Sequence, residues 1–223
     1  MHDVGDSKYK PDDPSYGVSV VSEFLTRLSV SQAVIDGVAF ILNNISFSKE
    51  VTHSSSLQTT YINELSIVQD ADRLDALGAI GFTFKIYLSV PSIPFLFVFL
   101  GIARCFAFGG SRGRPLFDSN YGTLLSLQQP ACSQLQDSSQ QLLSLLSVLE
   151  DCSDPAKVSD LIGAPRVTPK TGTSFQHFFD KILHIPSMMK TEYGKKIALQ
   201  RHKFLIEYLK QFLVEWQARE VSL

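Results

Sequence analysis

The chain has 223 residues, 44% of them hydrophobic, which is enough to bury the core of one domain. Its 20 basic and 22 acidic residues give a net charge of -2, which removes the electrostatic basis for binding nucleic acid or an anionic membrane surface. Cys105, Cys132 and Cys152 lack the spacing of metal ligands and leave at least one thiol unpaired, so we expect a reducing, cytoplasmic compartment. The polar run after Met1 predicts no signal peptide.

Apolar residues recur every three or four positions in the first 45 residues, which predicts two helices. The first helix contains Val18, Val21, Phe24 and Leu25. The second follows Ser31 as a predicted N-cap and contains Val34, Val38, Ile41, Leu42 and Ile45. Strand-like alternation is scarce along the whole chain, so the fold class we expect is all-α.

Residues 68–81 concentrate charge in an otherwise apolar stretch. Asp70, Asp72 and Asp75 lie with Arg73 within six positions of a predicted helix. On helical geometry Asp72 and Asp75 stand one turn apart on a single face. Carboxylates in such a stretch are costly to bury without a compensating partner. Two interpretations stay open, a bound divalent cation and a salt-bridged helix around Arg73.

Residues 82–100 read FTFKIYLSVPSIPFLFVFL, nearly all apolar, with Lys85 as the one charge. Their length is near the minimum for a membrane span. Pro91, Pro94 and several hydroxyl groups weaken that interpretation. We therefore expect an apolar insertion over 82–101, with a transmembrane helix as the alternative.

The second half of the chain contains one polar stretch and one helical stretch. Residues 118–173 are rich in Ser and Gln and broken by several prolines, so we expect a mobile excursion there with one helix around Leu135–Leu149. Residues 174–217 return to helical spacing and predict the C-terminal helices. The full length, 1–223, is predicted to be a single helical domain.

Three strings follow one another in the order HDVGDSKY at 2–9, QDADRLDALGAIG at 69–81 and GIARCFAFGG at 101–110. FQHFFDK at 175–181 and the closing helix at 201–216 continue the pattern. The order and content of these strings resemble the HD superfamily of metal-dependent phosphohydrolases, and in particular its small HD-domain proteins. The resemblance implies an HD-domain helical bundle, interrupted here by the apolar insertion and the Ser/Gln-rich loop.

The resemblance also implies a metal site and a hydrolytic reaction. The implied ligands are His2, Asp3 and Asp72, with Asp70 as the second choice for the last of these. They would hold one divalent ion, and the mixed ligand set suits Mn, Mg, Fe, Ni, Co or Zn without choosing among them. Such an ion activates water for attack on a phosphate ester, with a nucleotide as the expected small substrate.

Proton transfer and phosphate binding need further side chains. Asp6 or Asp75 would accept the proton of the attacking water. Cationic groups in the strings and in the glycine-rich turn at 109–114 are expected to bind the substrate. The candidates are Lys8, Arg73, Arg104, Arg112, Arg114 and His177. The alternatives are that the turn is a solvated loop and that His177 is a core histidine. The histidines expected to be structural or exposed are His53, His184 and His202.

Two departures from the family pattern shape the functional expectation. The family has a histidine-bearing helix ahead of the HD pair, whereas this sequence begins one residue before His2, and residues 82–101 separate strings that are contiguous in the family. We expect a truncated isoform or splice product that has lost one ligand and binds metal weakly or is inactive. The competing hypothesis is a non-catalytic HD-fold interaction module. Metal content distinguishes the two, while the oligomeric state stays open.

Overall fold

In a computed structural model of the chain, the structure describes residues 13, 15–52, 61–77, 106, 110, 113–117, 138–167 and 172–220. These ranges contain helices and no strand, and the predicted all-α fold class is confirmed. The helices are α1 (Tyr16–Arg27), α2 (Gln32–Asn44), α3 (Phe47–Thr52), α4 (Ile62–Ala76), α5 (Ser138–Asp151), α6 (Val158–Ile162), α7 (Gln176–Asp180), a 3₁₀ helix (Ile182–Met188) and α8 (Glu192–Glu220). None of the helices in these ranges combines the length and apolar character that crossing a membrane requires.

The chain divides into two compact units, Met1–Ala71 and Asp72–Leu223, and the boundary falls within α4. The single domain predicted for 1–223 stays a prediction. The apolar insertion predicted at 82–101 lies outside the described residues.

In the first unit, α1 and α2 form where the apolar spacing predicted them. After α1, Ser29 adopts a left-handed φ of 57°, and the Val30 N–H donates to the Leu25 carbonyl at 3.1 Å, which closes the end of the helix. Ser31 has the extended backbone of an N-cap residue, although its side chain makes no capping hydrogen bond. The predicted position of the second helix is therefore correct. Ser31 precedes the helix with extended backbone dihedrals but does not cap it with its hydroxyl.

Polar contacts connect α4 and the residue before it to α2 within the first unit. The Tyr61 hydroxyl donates to the Ala33 carbonyl at 3.0 Å, and the Gln69 amide donates to the Asn44 carbonyl at 2.8 Å. The Tyr61 ring also lies 6.2 Å from that of Phe40, measured between centroids. The two hydrogen bonds join residues 28 and 25 positions apart, so they are tertiary contacts within this unit.

In the second unit, one continuous apolar core joins residues from α5 to α8. Phe175 and Phe178 are fully buried, and the Phe175 ring lies 4.8 Å from Phe117 and 5.0 Å from Phe212. Around these rings pack apolar side chains from the helices that the structure describes in this unit. They include Leu145, Leu149, Val158, Ile182, Leu205, Leu209 and Leu213.

The stretch predicted as a mobile excursion, 118–173, differs from that prediction where the structure describes it. The predicted helix is present as α5, but residues 138–167 pack as part of the second unit and include a second short helix, α6. Leu142, Leu145 and Leu149 lie on one face of α5 and are buried in the core. The Ser and Gln residues that suggested an excursion cover the other faces of that helix.

The C-terminal helices predicted at 174–217 are present with one change of geometry. The Thr191 hydroxyl accepts the backbone N–H of Gly194 and caps α8 at its start, and the Thr173 hydroxyl accepts the N–H of Gln176, the first residue of α7. Between these helices, residues 182–188 form a 3₁₀ helix that contains Pro186, which has no N–H to donate to an α-helical ladder.

Candidate functional site

Helix α4 carries the three aspartates that the sequence singled out. Asp72 and Asp75 are three residues apart in regular helix, so their side chains leave from one face with Cβ atoms about 5–6 Å apart, as predicted. Both are half-buried, whereas Asp70 is only 3% exposed. All three have polar or electrostatic partners in the structure. The second-choice ligand, Asp70, is therefore more deeply buried than Asp72, the first choice. Asp72 and Asp75 form a pair of carboxylates on one face of the helix.

Arg73, between these aspartates, is 4% exposed. Its Nη1 donates to the Met188 carbonyl at 2.7 Å, at the last residue of the 3₁₀ helix. A buried guanidinium is retained only where its charge and N–H groups are compensated. This contact gives Arg73 a structural connection, and the phosphate contact expected from the sequence stays a prediction.

A second arginine reaches the end of α4 from α8. Arg201 is half-buried, and its Nη1 donates to the Leu74 carbonyl and lies 3.4 Å from the Leu77 carbonyl. Both acceptors belong to the turn that follows Asp72. The last turn of α4 is thus connected to the 3₁₀ helix through Arg73 and to α8 through Arg201.

Two of the expected substrate-binding residues, Arg114 and His177, lie on neighbouring segments. The Pro115 carbonyl accepts the Ser174 N–H at 2.9 Å, and the carbonyl of the next residue accepts the Phe175 N–H at 3.1 Å. The segment that contains Arg114 is therefore hydrogen-bonded to the residues immediately before α7, which carries His177. Both side chains are half-buried and both have partners.

A polar cluster in which Asp180 and His184 are buried joins α6, α7 and the 3₁₀ helix. The Arg166 Nε donates to Asp180 Oδ1, and the backbone N–H of Arg166 donates to the Asp180 carbonyl at 2.8 Å. Ser159 Oγ lies 3.5 Å from His184 Nδ1. Burial lowers the pKa of His184, an effect that the Phe179 carbonyl and Asp180 oppose and Arg166 reinforces. Asp180 Oδ2 and His184 Nε2 have no hydrogen-bond partner in the part of the chain that the structure describes.

His202 is fully buried, as expected for a structural histidine, and its Nε2 lies 2.7 Å from the Cys152 carbonyl. That carbonyl can only accept, so Nε2 carries the proton. Nδ1 has no partner among the described residues, and burial lowers the pKa of the ring. Burial, with a smaller contribution from Asp151, raises the pKa of the Cys152 thiol to about 12, so this cysteine behaves as a core residue.

Several predicted site residues lie outside the described residues. They are His2, Asp3, Asp6, Lys8, Arg104 and Arg112. Within the described ranges, no three His, Cys, Asp or Glu side chains are grouped so that they could hold a metal ion. The structure therefore describes the α4 part of the predicted site and leaves the assigned ligand set a prediction.

Sequence reasoning missed the contact of Arg201 with α4. The signal was present, because Arg201 lies four residues from both Ile197 and Leu205, on the apolar stripe of α8. A charged side chain at such a position must find a polar partner. The acceptor, the Leu74 carbonyl, is 127 residues away and could not be read from local spacing.

No family model matches the chain. Over 211 residues it is 24% identical to the uncharacterized protein YpgQ of Bacillus subtilis (strain 168), a match that covers 95% of this chain and 66% of that protein's length. It is similar to a crystal structure from Lactobacillus plantarum, with a TM-score of 0.56, 23% identity and coverage of 98% of this chain and 73% of that one.

A crystal structure of an HD-superfamily hydrolase from Bacillus thuringiensis is also similar, with a TM-score of 0.50 and 25% identity. This match covers 97% of the present chain and 70% of the other. The helical fold that the motif strings led us to expect is thereby confirmed.

Proposed function

Because this chain has the helical fold of the HD superfamily, we propose that it is a metal-dependent phosphohydrolase acting on a small phosphorylated substrate, with a nucleotide as the first candidate. The observation that carries the proposal is the last turn of α4, where Asp72 and Asp75 leave one helix face within the string QDADRLDALGAIG. The solved relative from Bacillus thuringiensis is a hydrolase, which supports the reaction class.

A divalent metal fits the donor set of the proposed site. Asp72 is a half-buried carboxylate at the end of α4, and His2 and Asp3 would add an imidazole and a second carboxylate, a mixture that suits borderline divalent ions. Asp70, more deeply buried on the same helix, is the second choice for the Asp72 role. When bound, such an ion lowers the pKa of a coordinated water and polarises a phosphoryl oxygen.

The side chains around this donor set have separate proposed roles. Asp75, one turn from Asp72, would accept the proton of the attacking water, with Asp6 as the alternative. Arg114 and His177 would bind the phosphate, and the hydrogen bonds between their segments support placing them in one role. The further candidates for phosphate binding are Lys8, Arg73, Arg104 and Arg112.

The experiment combines metal content with hydrolysis on the full chain. Protein is loaded with Mn²⁺ or Co²⁺, freed of excess ion and assayed for bound metal and for phosphate release from nucleoside mono-, di- and triphosphates. We expect Asp72→Asn and His2→Gln to lose stoichiometric metal and hydrolysis together. Asp75→Asn should keep the metal and lose about 100-fold or more in turnover, as removal of a general base does.

The matched control is Asp160→Asn, an exposed aspartate of α6 that should leave both measurements unchanged. Asp70→Asn, run in parallel, decides between the first and second choice of ligand. A wild-type chain that holds no divalent metal and releases no phosphate from any of these substrates would reject the phosphohydrolase and favour the non-catalytic interaction module.

A further inference from the structure

The end of α4 requires hydrogen-bond donors from outside the helix. The last four carbonyls of an α-helix have no N–H partner within it. Here the Leu77 N–H donates to the Leu74 carbonyl at 3.2 Å, a bond to the third residue back that tightens the final turn. Leu77 is fully buried, so a donor for its carbonyl has to come from the protein.

Arg201 supplies a donor to this helix end. Its Nη1 donates to the Leu74 carbonyl and approaches the Leu77 carbonyl at 3.4 Å, so one nitrogen serves two acceptors. Its positive charge also lies at the negative end of the helix dipole. Arg201 therefore closes the turn with a charge-assisted hydrogen bond, which is stronger than one between neutral groups.

Arg73 makes a connection in the opposite direction. It leaves α4 and donates to the Met188 carbonyl, whereas Arg201 leaves α8 and donates to α4. The turn that holds Asp72 and Asp75 is thus connected to two other helices of the same unit. A helix end connected at two points has less freedom to fray than one that ends in solvent.

We propose that Arg201 is a positioning residue for the Asp72 and Asp75 carboxylates. It fixes the last turn of α4 through the Leu74 and Leu77 carbonyls and thereby sets the affinity of the site for a divalent cation, without touching the cation or the substrate. Carboxylate ligands must be held within about 0.5 Å of their working geometry. This inference rests on the proposed function. It adds a residue that is neither an expected metal ligand nor an expected phosphate-binding residue.

The competing explanation is that Arg201 only stabilises the second unit. That explanation predicts that any variant of equal instability weakens the cation site to the same degree. The positioning role predicts a local effect, confined to α4 and to the bound cation. The test therefore needs a cation-binding readout, a metal-free readout of α4 and a control of lowered stability.

The cation readout is a titration of the full chain with Co²⁺, followed by its visible absorption spectrum, which reports the coordination geometry. We expect Arg201→Met to bind Co²⁺ about 10- to 100-fold more weakly, the range typical of lost supporting contacts around metal sites. Its spectrum at saturation should also change. Arg201→Lys keeps a cationic donor and should recover part of the affinity.

Two controls accompany the titration. Lys203→Met removes an exposed cation two residues along the same helix and should leave the Co²⁺ affinity unchanged. Val158→Ala opens space at a fully buried position of α6 and lowers stability, yet it should also leave the affinity and the spectrum unchanged.

The metal-free readout is amide hydrogen exchange at residues 75–77. Exchange there should accelerate in Arg201→Met and stay at the wild-type rate in Lys203→Met. Wild-type exchange in Arg201→Met would show that the arginine does not hold the turn and would overturn the inference.

The remaining outcomes separate this inference from the proposed function. If Asp72→Asn loses Co²⁺ while Arg201→Met binds it with wild-type affinity and spectrum, the positioning role falls and the metal site stands. The positioning role also falls if Val158→Ala weakens binding as much as Arg201→Met does. If Asp72→Asn binds Co²⁺ like the wild type, or the wild type binds none, the proposed metal site falls and this inference falls with it.

Discussion

The second unit packs its helices around one continuous core of phenylalanine, leucine and isoleucine side chains, several of them fully buried. The described part of the first unit buries far fewer apolar residues, namely Val21, Ile35, Phe47 and Leu65. Large apolar side chains of that unit, Phe24, Leu28 and Val34 among them, are exposed instead. In the first unit, polar contacts such as Tyr61 to Ala33 and Gln69 to Asn44 add to this sparser apolar packing.

This difference predicts where substitutions are costly. In a dense core each side chain touches many others, so removing one leaves a cavity that its neighbours cannot fill. Where apolar contacts are sparse, the surroundings collapse more easily and the loss approaches the transfer free energy alone. The second unit should therefore respond strongly to core truncation, and the first unit weakly.

Phe175→Ala should be the most damaging substitution, because Phe175 is fully buried with rings on several sides. We expect the free energy of unfolding to fall by about 3–5 kcal/mol, measured by urea denaturation of the full chain. Phe47→Ala, at the buried phenylalanine of the first unit, should cost about 2 kcal/mol. Equal losses at the two positions would contradict the expected difference in packing between the units.

The exposed Phe204 provides the control for both substitutions. Phe204→Ala lies on α8 in the second unit, at a side chain that is 48% exposed. Its cost should stay within about 0.5 kcal/mol, as for other surface changes. A large loss here would mean that ring size rather than burial determines the effect.

Arg166→Met should come next, because it leaves the fully buried carboxylate of Asp180 without its ion-pair partner. Breaking a buried pair costs about 3–5 kcal/mol, but the Arg166 side chain is 37% exposed, so solvent reduces the expected loss to about 2–3 kcal/mol. The double variant Arg166→Met with Asp180→Leu should recover much of this loss in urea denaturation. No recovery would show that the pair itself stabilises the second unit.

The fold was predictable where apolar periodicity is regular. The spacing along α1, α2 and α8 is continuous, and the structure has helices at these positions. The role of α5 was misjudged because Ser and Gln dominate its composition, although Leu142, Leu145 and Leu149 form a narrow buried stripe. Composition averages over all faces of a helix, whereas packing depends on one face.

The candidate site was predictable only in its local part. The spacing of Asp72 and Asp75 follows directly from helical geometry, and the sequence alone was enough to state it. The partners of Arg73 and Arg201 are backbone carbonyls more than a hundred residues away. Every residue has a backbone carbonyl, so the sequence does not indicate which one is the acceptor. Residue spacing therefore reveals carboxylates on one helix, but not the groups that hold that helix in place.

Acid should destabilise the second unit through its buried histidines. Burial lowers the folded-state pKa of His184 and His202, so between the folded and unfolded pKa values the unfolded chain binds more protons. Stability is then complete above the unfolded value of about 6.5 and is lost as the pH falls below it. Each histidine can contribute a slope of up to about 1.4 kcal/mol per pH unit.

The measurement is urea denaturation of the full chain from about pH 7 to about pH 5. His202→Gln keeps a donor for the Cys152 carbonyl and removes the titrating ring, so it should flatten the pH dependence. The double variant with His184→Gln should flatten it further. An unchanged slope in the double variant would assign acid sensitivity to other groups.

The smallest effect is expected in the first unit, at Gly37 of α2. A Cβ there would lie 3.0 Å from Cε1 of Tyr61, whose hydroxyl donates to the Ala33 carbonyl. Alanine in a helix interior gains up to about 1 kcal/mol over glycine, but displacing the Tyr61 ring opposes that gain. In urea denaturation Gly37→Ala should therefore be close to neutral in the wild type and stabilising by about 1 kcal/mol in a Tyr61→Ala background. The same gain in both backgrounds would show that the Tyr61 ring does not restrain α2. The contact between Tyr61 and α2 would then not contribute to the stability of the first unit.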